Sequence, residues 1–434
     1  MLGPQMLKAI SLFTGVGGLD FGFEAAGFET SVAVEIDPVC CRTIRLNRRW
    51  PVVERDVHRL ASKELLHAAG LRAGQADVLI GGPPCQPFSK SGYWARGDVL
   101  RLDDPRADTL TAYLRVLRDT QPKAFMLENV SGLAYKGKSE ALDRILAGIA
   151  QINQDVGTCY DPVWQVVDAA SYGVPQRRER VLIVASRDGK QFKFPKVTHG
   201  EAHALPLDAG LAPYRTAWDA LGDLPQCSSD PTLRVTGKWA DLLPSIPEGE
   251  NYLWHTPRGG GMPLFGWRTR YWSFLLKLAK HRPSWTIQAQ PGPATGPFHW
   301  TSRRLSIHEL CRLQTFPDGL RFNCGRNDAQ RMLGNAVPSL VAEVIAREIR
   351  RQFLGKPMNG KELQLLPPRR EPTPKADKES KVPTIYHALV GNHAEHPGEG
   401  MGNRARQRLS TRTIETSGRF PTDQASFSRI GDRL

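Results

Sequence analysis

The sequence is poor in cysteine, has no long apolar run, and contains one long stretch without acidic residues. Its seven cysteines are scattered and form no CxxC pair, which argues against a disulfide framework or a zinc site and for a reducing compartment. We therefore expect no metal. No apolar stretch approaches the roughly 20 residues that span a bilayer, and the N-terminus lacks the layout of a signal peptide. These absences predict a cytoplasmic protein without a membrane partner, starting at Met1 or Met6.

The stretch without acids covers residues 251–308, where eight Lys and Arg residues and ten aromatic residues occur without one Asp or Glu. Cationic side chains neutralise phosphates, and aromatic rings offer stacking surface to bases. A core segment would also use aromatic residues, but it has little reason to exclude every acid. Because the whole chain carries a formal net charge of +14, the composition favours a nucleic-acid partner.

Residues 6–188 alternate short apolar runs with stretches of helical spacing. The runs typical of strands are LKAISLF, TSVAVEI, ADVLIGG, KAFMLENV and RVLIVAS. Helical spacing occurs in FGFEAAGF, in residues 38–46, in DTLTAYLRVLRD and in SEALDRILAGIAQI. Strands separated by helices predict βαβ units, and therefore an α/β fold around a mostly parallel sheet.

The whole sequence divides into four predicted segments. Residues 1–188 form the predicted catalytic and cofactor-binding core. In residues 189–302 Pro, Gly and Trp become frequent and periodicity fades, which predicts a smaller irregular domain. Helical spacing returns in residues 303–354, as RRLSIHELCRLQTF and SLVAEVIAREIRRQF, and predicts a C-terminal part of the core. Residues 355–434 are Pro-rich and charged and are predicted to be a linker and a poorly packed tail.

The segment GGPPCQPFS places Cys85 between two prolines, directly after a predicted strand. Pro84 and Pro87 have φ fixed near −65°, and the two glycines before them allow backbone conformations that other residues resist. Ligands of open α/β sheets bind at the carboxyl ends of the strands. An isolated intracellular cysteine is more often a buried structural residue, but this stiff turn favours a functional thiol.

The segment FTGVGGLD lies at a predicted strand-to-helix junction and has the spacing Gly-x-Gly-Gly, which alone is a weak nucleotide-site signal. Glu35 ends the second predicted strand, 20 positions after Gly15, where an acid can accept both hydroxyls of a ribose. Asp56 stands near the end of a candidate third strand. Each acid alone could be a helix cap or a solvated loop residue. Their joint placement at strand ends favours a cofactor that contains a nucleoside.

Two further motifs carry charge at strand ends. Glu128, in LENV, follows an apolar run, so that desolvation should raise its pKa; a salt-bridged acid is the alternative. In QRRER, Arg178 and Arg180 alternate and would point to one side of an extended segment, suited to a phosphate or a carboxylate. An isolated basic run is more often solvated surface.

These motifs, in this order, resemble the DNA (cytosine-5)-methyltransferase family over residues 7–188 and 303–350. FTGVGG, VEIDP and RDV resemble the family's cofactor motifs, GGPPCQPFS its nucleophile loop, ENV and QRRER two catalytic motifs, and RRLSIHELCRLQTFPD and GNAVP the motifs that close the core. Ser11 and Arg55 depart from the Asp and Gly that are common at those positions. Residues 189–302 carry no general family motif, as expected of a variable target-recognition domain.

The resemblance implies a Rossmann-like core that uses S-adenosylmethionine and methylates C5 of a flipped cytosine through a covalent bond from Cys85 to C6. Glu128 would donate to cytosine N3, and Arg178, supported by Arg180, would hold the base and the loop that bears the cysteine. The cofactor contacts that it implies are Phe13, Gly15, Gly17, Glu35, Ile36, Asp56, Val57 and Asn335. Among these, Glu35 would hold the ribose and Asp56 the adenine amino group.

The resemblance also implies a bacterial restriction-modification enzyme, a monomer in the nucleoid that acts on double-stranded DNA. A cognate restriction endonuclease would act on the same site without a stable complex. Three alternatives remain open. One is methylation of tRNA by a branch of the same family, whose Cys-Phe-Thr signature is absent here. Another is a nicotinamide-dependent oxidoreductase, which would explain neither PCQ nor QRRER. The third is an inactive DNA-binding relative.

Overall fold

A seven-stranded sheet forms the centre of the molecule. The computed structural model describes residues 6–84, 108–134, 140–201, 210–267 and 271–391. The strands of the sheet are β1 Leu7–Leu12, β2 Phe28–Glu35, β3 Val52–Glu54, β4 Val78–Gly81, β5 Ala124–Val130, β6 Val163–Asp168 and β7 Glu179–Ser186. Their order is β3-β2-β1-β4-β5-β7-β6, and β7 alone in this sheet runs antiparallel to its neighbours. This arrangement confirms the predicted α/β fold with a mostly parallel sheet.

Helices cover both faces of the sheet. Their bounds are α1 Gly18–Ala25, α2 Pro38–Asn47, α3 Ser62–Ala69, α4 Asp108–Thr120, α5 Glu140–Val156, α6 Ala217–Leu221, α7 Ile307–Leu313, α8 Arg326–Asn335 and α9 Ser339–Gln352. A short parallel pair, β8 His199–Gly200 and β9 Ala212–Pro213, lies outside the sheet. Across the described ranges, no helix combines the length and the apolar character needed to cross a membrane.

The C-terminal helix α9 returns to the N-terminal part of the chain and packs against α1 on one face of the sheet. Gly22 makes this close packing possible, because a Cβ there would collide with the Ser339 carbonyl oxygen. On the opposite face, α4 and α5 bury residues such as Val116 and Ile145 against the sheet. Residues on both sides of the segment 189–302, which we call the recognition segment after the role that the resemblance implies, therefore build one core.

Some helices and strands were not predicted from the sequence because their apolar patterns are weak. Strand β6 is an edge strand with one neighbour, and its Trp164 is exposed, so that its apolar alternation is poor. Helices α3 and α8 were also not expected. Helix α8, RNDAQRMLGN, is polar over most of its length and buries Met332 and Leu333 as its larger apolar side chains.

The recognition segment has a hydrophobic cluster of its own, and the structure here corrects the expectation of a loose tail from residue 355. The cluster includes Val235, Leu242, Leu243 and Ile246, and Tyr386 from the C-terminal segment is buried among them. Residues 355–391 contain few apolar side chains, which is why their composition resembles a linker, but Tyr386 is buried and Leu365, Leu366, Val382 and Leu389 pack against hydrophobic clusters. Residues 392–434 lie outside the described part of the chain.

Asp20, on α1, is a fully buried acidic residue of the core. Its carboxylate accepts hydrogen bonds from Ser11 Oγ and Thr30 Oγ1, each at 3.1 Å. Burial is the largest influence on this group and raises the pKa of Asp20 to about 7. The unfolded chain would have an Asp pKa of about 3.9, so the protonated form is favoured by folding.

We expect Asp20→Asn to become more stabilising, relative to wild type, as the pH rises. The stability associated with protonated Asp20 is fully present below about pH 4 and is lost as the pH rises through the folded pKa near 7. Asparagine stays neutral, so the free energy of unfolding of the variant, relative to that of wild type, should rise by about 1–3 kcal/mol between pH 5 and pH 8. Urea denaturation at both pH values measures it, with the exposed Asp155→Asn as control. A difference that does not change with pH would contradict the prediction.

Candidate active site

The carboxyl ends of four neighbouring parallel strands bring the motifs to one edge of the sheet. The glycine turn follows β1, Glu35 is the last residue of β2, residues 82–84 follow β4, and Glu128 lies near the end of β5. Because parallel strands end at the same edge, these groups face a common space. This is the ligand-binding edge expected of an open α/β sheet.

The turn after β1 has a backbone that leaves room for a ligand. Phe13, Gly15 and Gly17 all have positive φ, at 53°, 58° and 91°. Side-chained residues resist this conformation, which explains the glycines. A Cβ placed on Gly15 would meet no atom of the described chain within 4 Å. The turn therefore borders open space at the amino end of α1.

Glu35 is held at this edge by backbone amides. Its carboxylate accepts hydrogen bonds from the backbone N–H groups of Gly15 at 2.7 Å, Ile36 at 2.9 Å and Asp37 at 2.8 Å. Burial raises the pKa of Glu35, and the three amides oppose the rise. A carboxylate has about four acceptor positions. The geometry therefore leaves room for about one ligand hydroxyl, where the sequence suggested two.

The structure places the other expected cofactor contacts in different environments. Ile36 is an exposed apolar residue, at 62%. Asp56 caps the turn Val57–Arg59 by accepting from the His58 N–H at 3.0 Å, and Val57 is buried. Asn335 is exposed and ends α8. Its neighbour Ala336 lies 3.3 Å from the Cβ position of Gly18, in the glycine turn.

An acidic and a basic side chain form an ion pair beside this edge of the sheet. Arg180 Nε lies 2.7 Å from Glu128 Oε1, and both side chains are largely shielded from solvent. The contact is diagonal across the antiparallel β5–β7 ladder, in which Glu128 faces Leu182 and Arg180 faces Val130. Burial raises the pKa of Glu128, while the charges of Arg180 and Arg178 oppose the rise.

The chain that leads to Cys85 passes directly beside Glu128. A Cβ on Gly82 would lie 2.7 Å from Glu128 Oε2, so that a side chain there would displace the Glu128 carboxylate. Asn129 Nδ2 donates to the Pro83 carbonyl at 3.2 Å and holds the turn against the end of β5. The sequence indicated only backbone freedom for Gly82 and gave Asn129 only as part of ENV, because the contacts of both residues join different strands. Cys85 itself lies outside the described residues.

Arg178 occupies a different place from the one that the resemblance suggested. It is fully buried and donates to the carbonyl of Ile287 at 3.3 Å and to that of Gly334 at 2.7 Å. Burial lowers the pKa of Arg178. It thus joins the recognition segment to α8, while Arg180 is the arginine that contacts Glu128. Of these two residues, Arg180 is therefore the one whose side chain lies beside the acid at the end of β5.

Gln176 supports the same junction and was quoted in the sequence only as part of QRRER. It is fully buried, accepts from the Ile287 N–H at 3.0 Å and donates to the Leu313 carbonyl at 3.3 Å. These partners lie more than 100 positions away along the chain. No local pattern in the sequence could have identified them. In the part of the chain that the structure describes, no group of three or more His, Cys, Asp or Glu side chains is placed to hold a metal.

Three tryptophans of the acid-free segment are exposed, and two of them, Trp272 and Trp285, lie near the QRRER segment. Trp267, Trp272 and Trp285 are 42%, 45% and 43% exposed, and the last two meet edge to face with ring centroids 5.4 Å apart. Ser284, next to Trp285, accepts from the Arg177 N–H at 2.7 Å. The exposed aromatic surface therefore adjoins the segment that carries Arg178 and Arg180.

Not every residue of the acid-free segment faces solvent. Trp300 is buried, and its indole N–H donates to Gln226 Oε1 at 2.9 Å. Lys277 and Lys280 are also buried. Composition alone therefore overstated the cationic surface that this segment offers to phosphates.

Comparison with known proteins agrees with this geometry. Residues 7–351 match the family model for C-5 cytosine-specific DNA methylase. The chain is 41% identical over 372 residues to the type II methyltransferase M.SacI of Streptomyces achromogenes, across 80% of this chain and 93% of that one. It is 44% identical over 245 residues to the type II methyltransferase M.AquIA of Picosynechococcus, across 54% of this chain and 97% of that one.

A solved structure of a DNA modification methyltransferase encoded within an E. coli prophage shares the fold. It aligns with a TM-score of 0.56 and 25% identity, over 81% of this chain and all of that chain. The family match spans the glycine turn, Glu35, Glu128, Arg178 and Arg180, which confirms the resemblance seen in the motifs. The chain therefore belongs to the C-5 cytosine-specific DNA methylase family and is a DNA (cytosine-5)-methyltransferase.

Proposed function

We propose that this enzyme transfers a methyl group from S-adenosylmethionine to C5 of a cytosine that has rotated out of duplex DNA, through a transient bond between Cys85 and C6. The observation that carries the proposal is the buried Glu128–Arg180 pair beside residues 82–84, which immediately precede Cys85. The relatives named type II methyltransferases support modification of one specific sequence. The proposal includes a monomeric enzyme and a restriction endonuclease that acts on the same site separately.

The glycine turn and its surroundings fit a nucleoside. The space beside Gly15 is open, Glu35 retains an acceptor for a ribose hydroxyl, and Ile36 offers an exposed apolar surface for a base. Asp56 has a second carboxylate oxygen for an adenine amino group. The remaining contacts in the proposal are Phe13, Gly17, Val57 and Asn335. When bound, S-adenosylmethionine supplies the methyl group that an activated C5 accepts.

Glu128 and Arg180 would prepare the cytosine ring for addition. Because burial raises the pKa of Glu128, its neutral form can donate a hydrogen bond to N3 and stabilise the charge that develops there. Arg180 has more donors than Glu128 uses, and the spare N–H groups can reach the neighbouring carbonyl of the base. Arg178 would act as a positioning residue, because its partners are protein carbonyls.

Cys85 would supply the nucleophile. A thiol with an ordinary pKa of about 8.5 is only a few per cent ionised at neutral pH, so its proton must leave before or during attack. Addition of the thiolate to C6 turns C5 into a nucleophile. After methylation, loss of the C5 proton restores the double bond and expels the thiolate, which regenerates the enzyme.

The recognition segment would hold the DNA while the base leaves the stack, a rotation that costs a few kcal/mol. Trp267, Trp272 and Trp285 supply exposed aromatic contact area, and the last two lie near the QRRER segment. Arg258 lies 3.9 Å from the centroid of the Trp267 ring and adds a cation to this surface. Stacked or edge contacts with bases and neutralised phosphates are the interactions that such a surface makes.

Labelled S-adenosylmethionine tests the proposal directly. We expect label to enter duplex DNA at cytosine C5 and not to enter tRNA. Bisulfite sequencing of DNA from cells that express the chain would then identify the recognised site. Label confined to tRNA would overturn the proposal in favour of the RNA-modifying branch.

Replacing Glu35 should weaken the binding of S-adenosylmethionine selectively. Glu35→Ala removes a charged acceptor from the proposed ribose site and should reduce affinity by about 10- to 100-fold, with DNA affinity within about twofold. Calorimetry with S-adenosylmethionine and fluorescence anisotropy with duplex DNA measure the two affinities. Glu54→Ala is the matched control, because Glu54 also ends a strand but pairs with Arg45 on the surface. Equal loss of both affinities in Glu35→Ala would indicate general misfolding instead.

A further inference from the structure

The chain continues beyond the family match, which ends at residue 351, and crosses from the core to the recognition segment. We call residues 363–389 the strap. Its first part is fixed to α9 by Glu343, a fully buried carboxylate that accepts from the backbone N–H groups of Gln364 at 2.8 Å and Leu365 at 2.9 Å. Leu365 and Leu366 pack on the hydrophobic cluster of α1 and α9. The strap therefore starts from a firm anchor on the core.

The middle of the strap is tied to α6 by charged groups. Asp219 is buried and accepts from Arg369 Nη1 and from the backbone N–H of Arg370, both at 2.8 Å. Arg370 also pairs with Asp223 at 2.8 Å. Because Asp219 is almost fully shielded, its bonds to Arg369 and Arg370 are not ordinary surface ion pairs.

The strap next supplies negative charge to the acid-free segment. Lys280 is buried and lies 2.5 Å from Glu248 and 3.4 Å from Asp377 of the strap. The backbone N–H of Asp377 in turn donates to Glu248 at 3.1 Å. Burial lowers the pKa of the adjacent Lys277 to about 8, and Glu248 and Asp377 oppose the change. Since residues 251–308 contain no acid, the counter-charges come from outside that segment.

The end of the strap enters the hydrophobic cluster of the recognition segment. Tyr386 is 3% exposed, and its ring stacks on Trp239 with centroids 5.8 Å apart and an interplanar angle of 17°. Its hydroxyl donates to the Lys238 carbonyl at 2.7 Å. Ile385, the preceding residue, is 69% exposed. One side chain of this pair is thus built into the cluster while its neighbour faces solvent.

We propose that the strap positions the recognition domain on the core, so that its DNA-contacting surface is correctly oriented before DNA arrives. The strap has anchors on both the core and the recognition segment, and its Tyr386 completes the hydrophobic cluster of the recognition segment. A domain that is already oriented loses less conformational freedom on binding, and therefore binds more tightly. Tyr386 is on this view a positioning residue, and the inference rests on the proposed methylation of duplex DNA.

The full-length Tyr386→Ala variant tests the inference. We expect its KM for duplex DNA to rise about tenfold, a typical size for coupling between separate parts of a protein. Its kcat at saturating DNA and its affinity for S-adenosylmethionine should stay within about twofold of wild type. Ile385→Ala is the matched control and should leave KM unchanged. Tyr386→Phe keeps the ring on Trp239 and should recover most of the lost affinity.

The outcomes separate positioning from simple stabilisation. A folded Tyr386→Ala enzyme with wild-type KM, even with a lowered Tm, would overturn the inference. If that variant fails to fold, Asp377→Asn tests the inference instead. This change weakens the contact of the strap with Lys280 but leaves the hydrophobic cluster intact, and it should raise the KM for DNA about threefold. Failure of the wild-type protein to methylate DNA would reject the proposed function instead. The same variants would then be compared by equilibrium DNA binding, where an unchanged Kd would reject the strap's role.

Discussion

Cys85→Ser should abolish methyl transfer to DNA while duplex binding stays within about threefold of wild type. A serine hydroxyl is far less acidic than a thiol and cannot supply a useful nucleophile to C6, so we expect kcat to fall by about 10⁴-fold or more. Transfer of tritiated methyl groups measures the rate, and anisotropy measures binding. Cys159→Ser is the control, because Cys159 is an exposed cysteine elsewhere on the surface and should be dispensable.

A duplex with 5-fluorocytosine at the target position tests the same assignment independently of rate. Fluorine cannot leave C5 as a proton does, so the wild-type enzyme should remain covalently bound to the DNA in the presence of S-adenosylmethionine. The complex should survive denaturing electrophoresis, and peptide mapping should locate the bond at Cys85. Turnover or trapping that persists in Cys85→Ser would identify a different nucleophile.

Glu128→Ala should lower kcat by about 10²- to 10⁴-fold, the range typical of a lost proton donor. Without the carboxyl group, the charge that develops on the ring during thiolate addition has no donor at N3. The kcat of Glu128→Gln should lie between those of wild type and Glu128→Ala, because an amide can donate a hydrogen bond but cannot transfer a proton. Glu179→Ala, at an exposed position on the neighbouring strand β7, is the control.

The pH dependence of Glu128→Gln gives a second readout. In the proposed mechanism the active form of Glu128 is neutral, and burial raises its pKa, so activity that depends on it should be present below that pKa and decline as the pH rises through it. Glutamine does not titrate, so this decline should disappear, while the rise due to ionisation of Cys85 should remain. A wild-type pH profile in Glu128→Gln, or an unchanged kcat in Glu128→Ala, would contradict the role given to Glu128.

The sequence by itself determined the class of fold and the identity of the chemical groups. Apolar runs alternating with helical spacing were enough to predict a parallel sheet, because each run is contiguous and buried strands have a recognisable composition. The motifs around Cys85, Glu128 and Arg180 are also contiguous. Residues 82–84 and Glu128 meet at one edge because parallel strands end together, and Arg180 reaches the same edge from the start of the antiparallel strand β7.

The tertiary structure decided which group has which partner. Arg178 and Arg180 are two positions apart in one motif and look equivalent in sequence, but Arg180 meets Glu128 across a strand ladder, whereas Arg178, just before β7, meets Ile287 and Gly334. In the same way, residues 355–391 have the composition of a linker, and Tyr386 becomes a core residue through its contact with Trp239. Contacts between residues so far apart in the chain leave no local periodicity, because they depend on how separate elements pack in space.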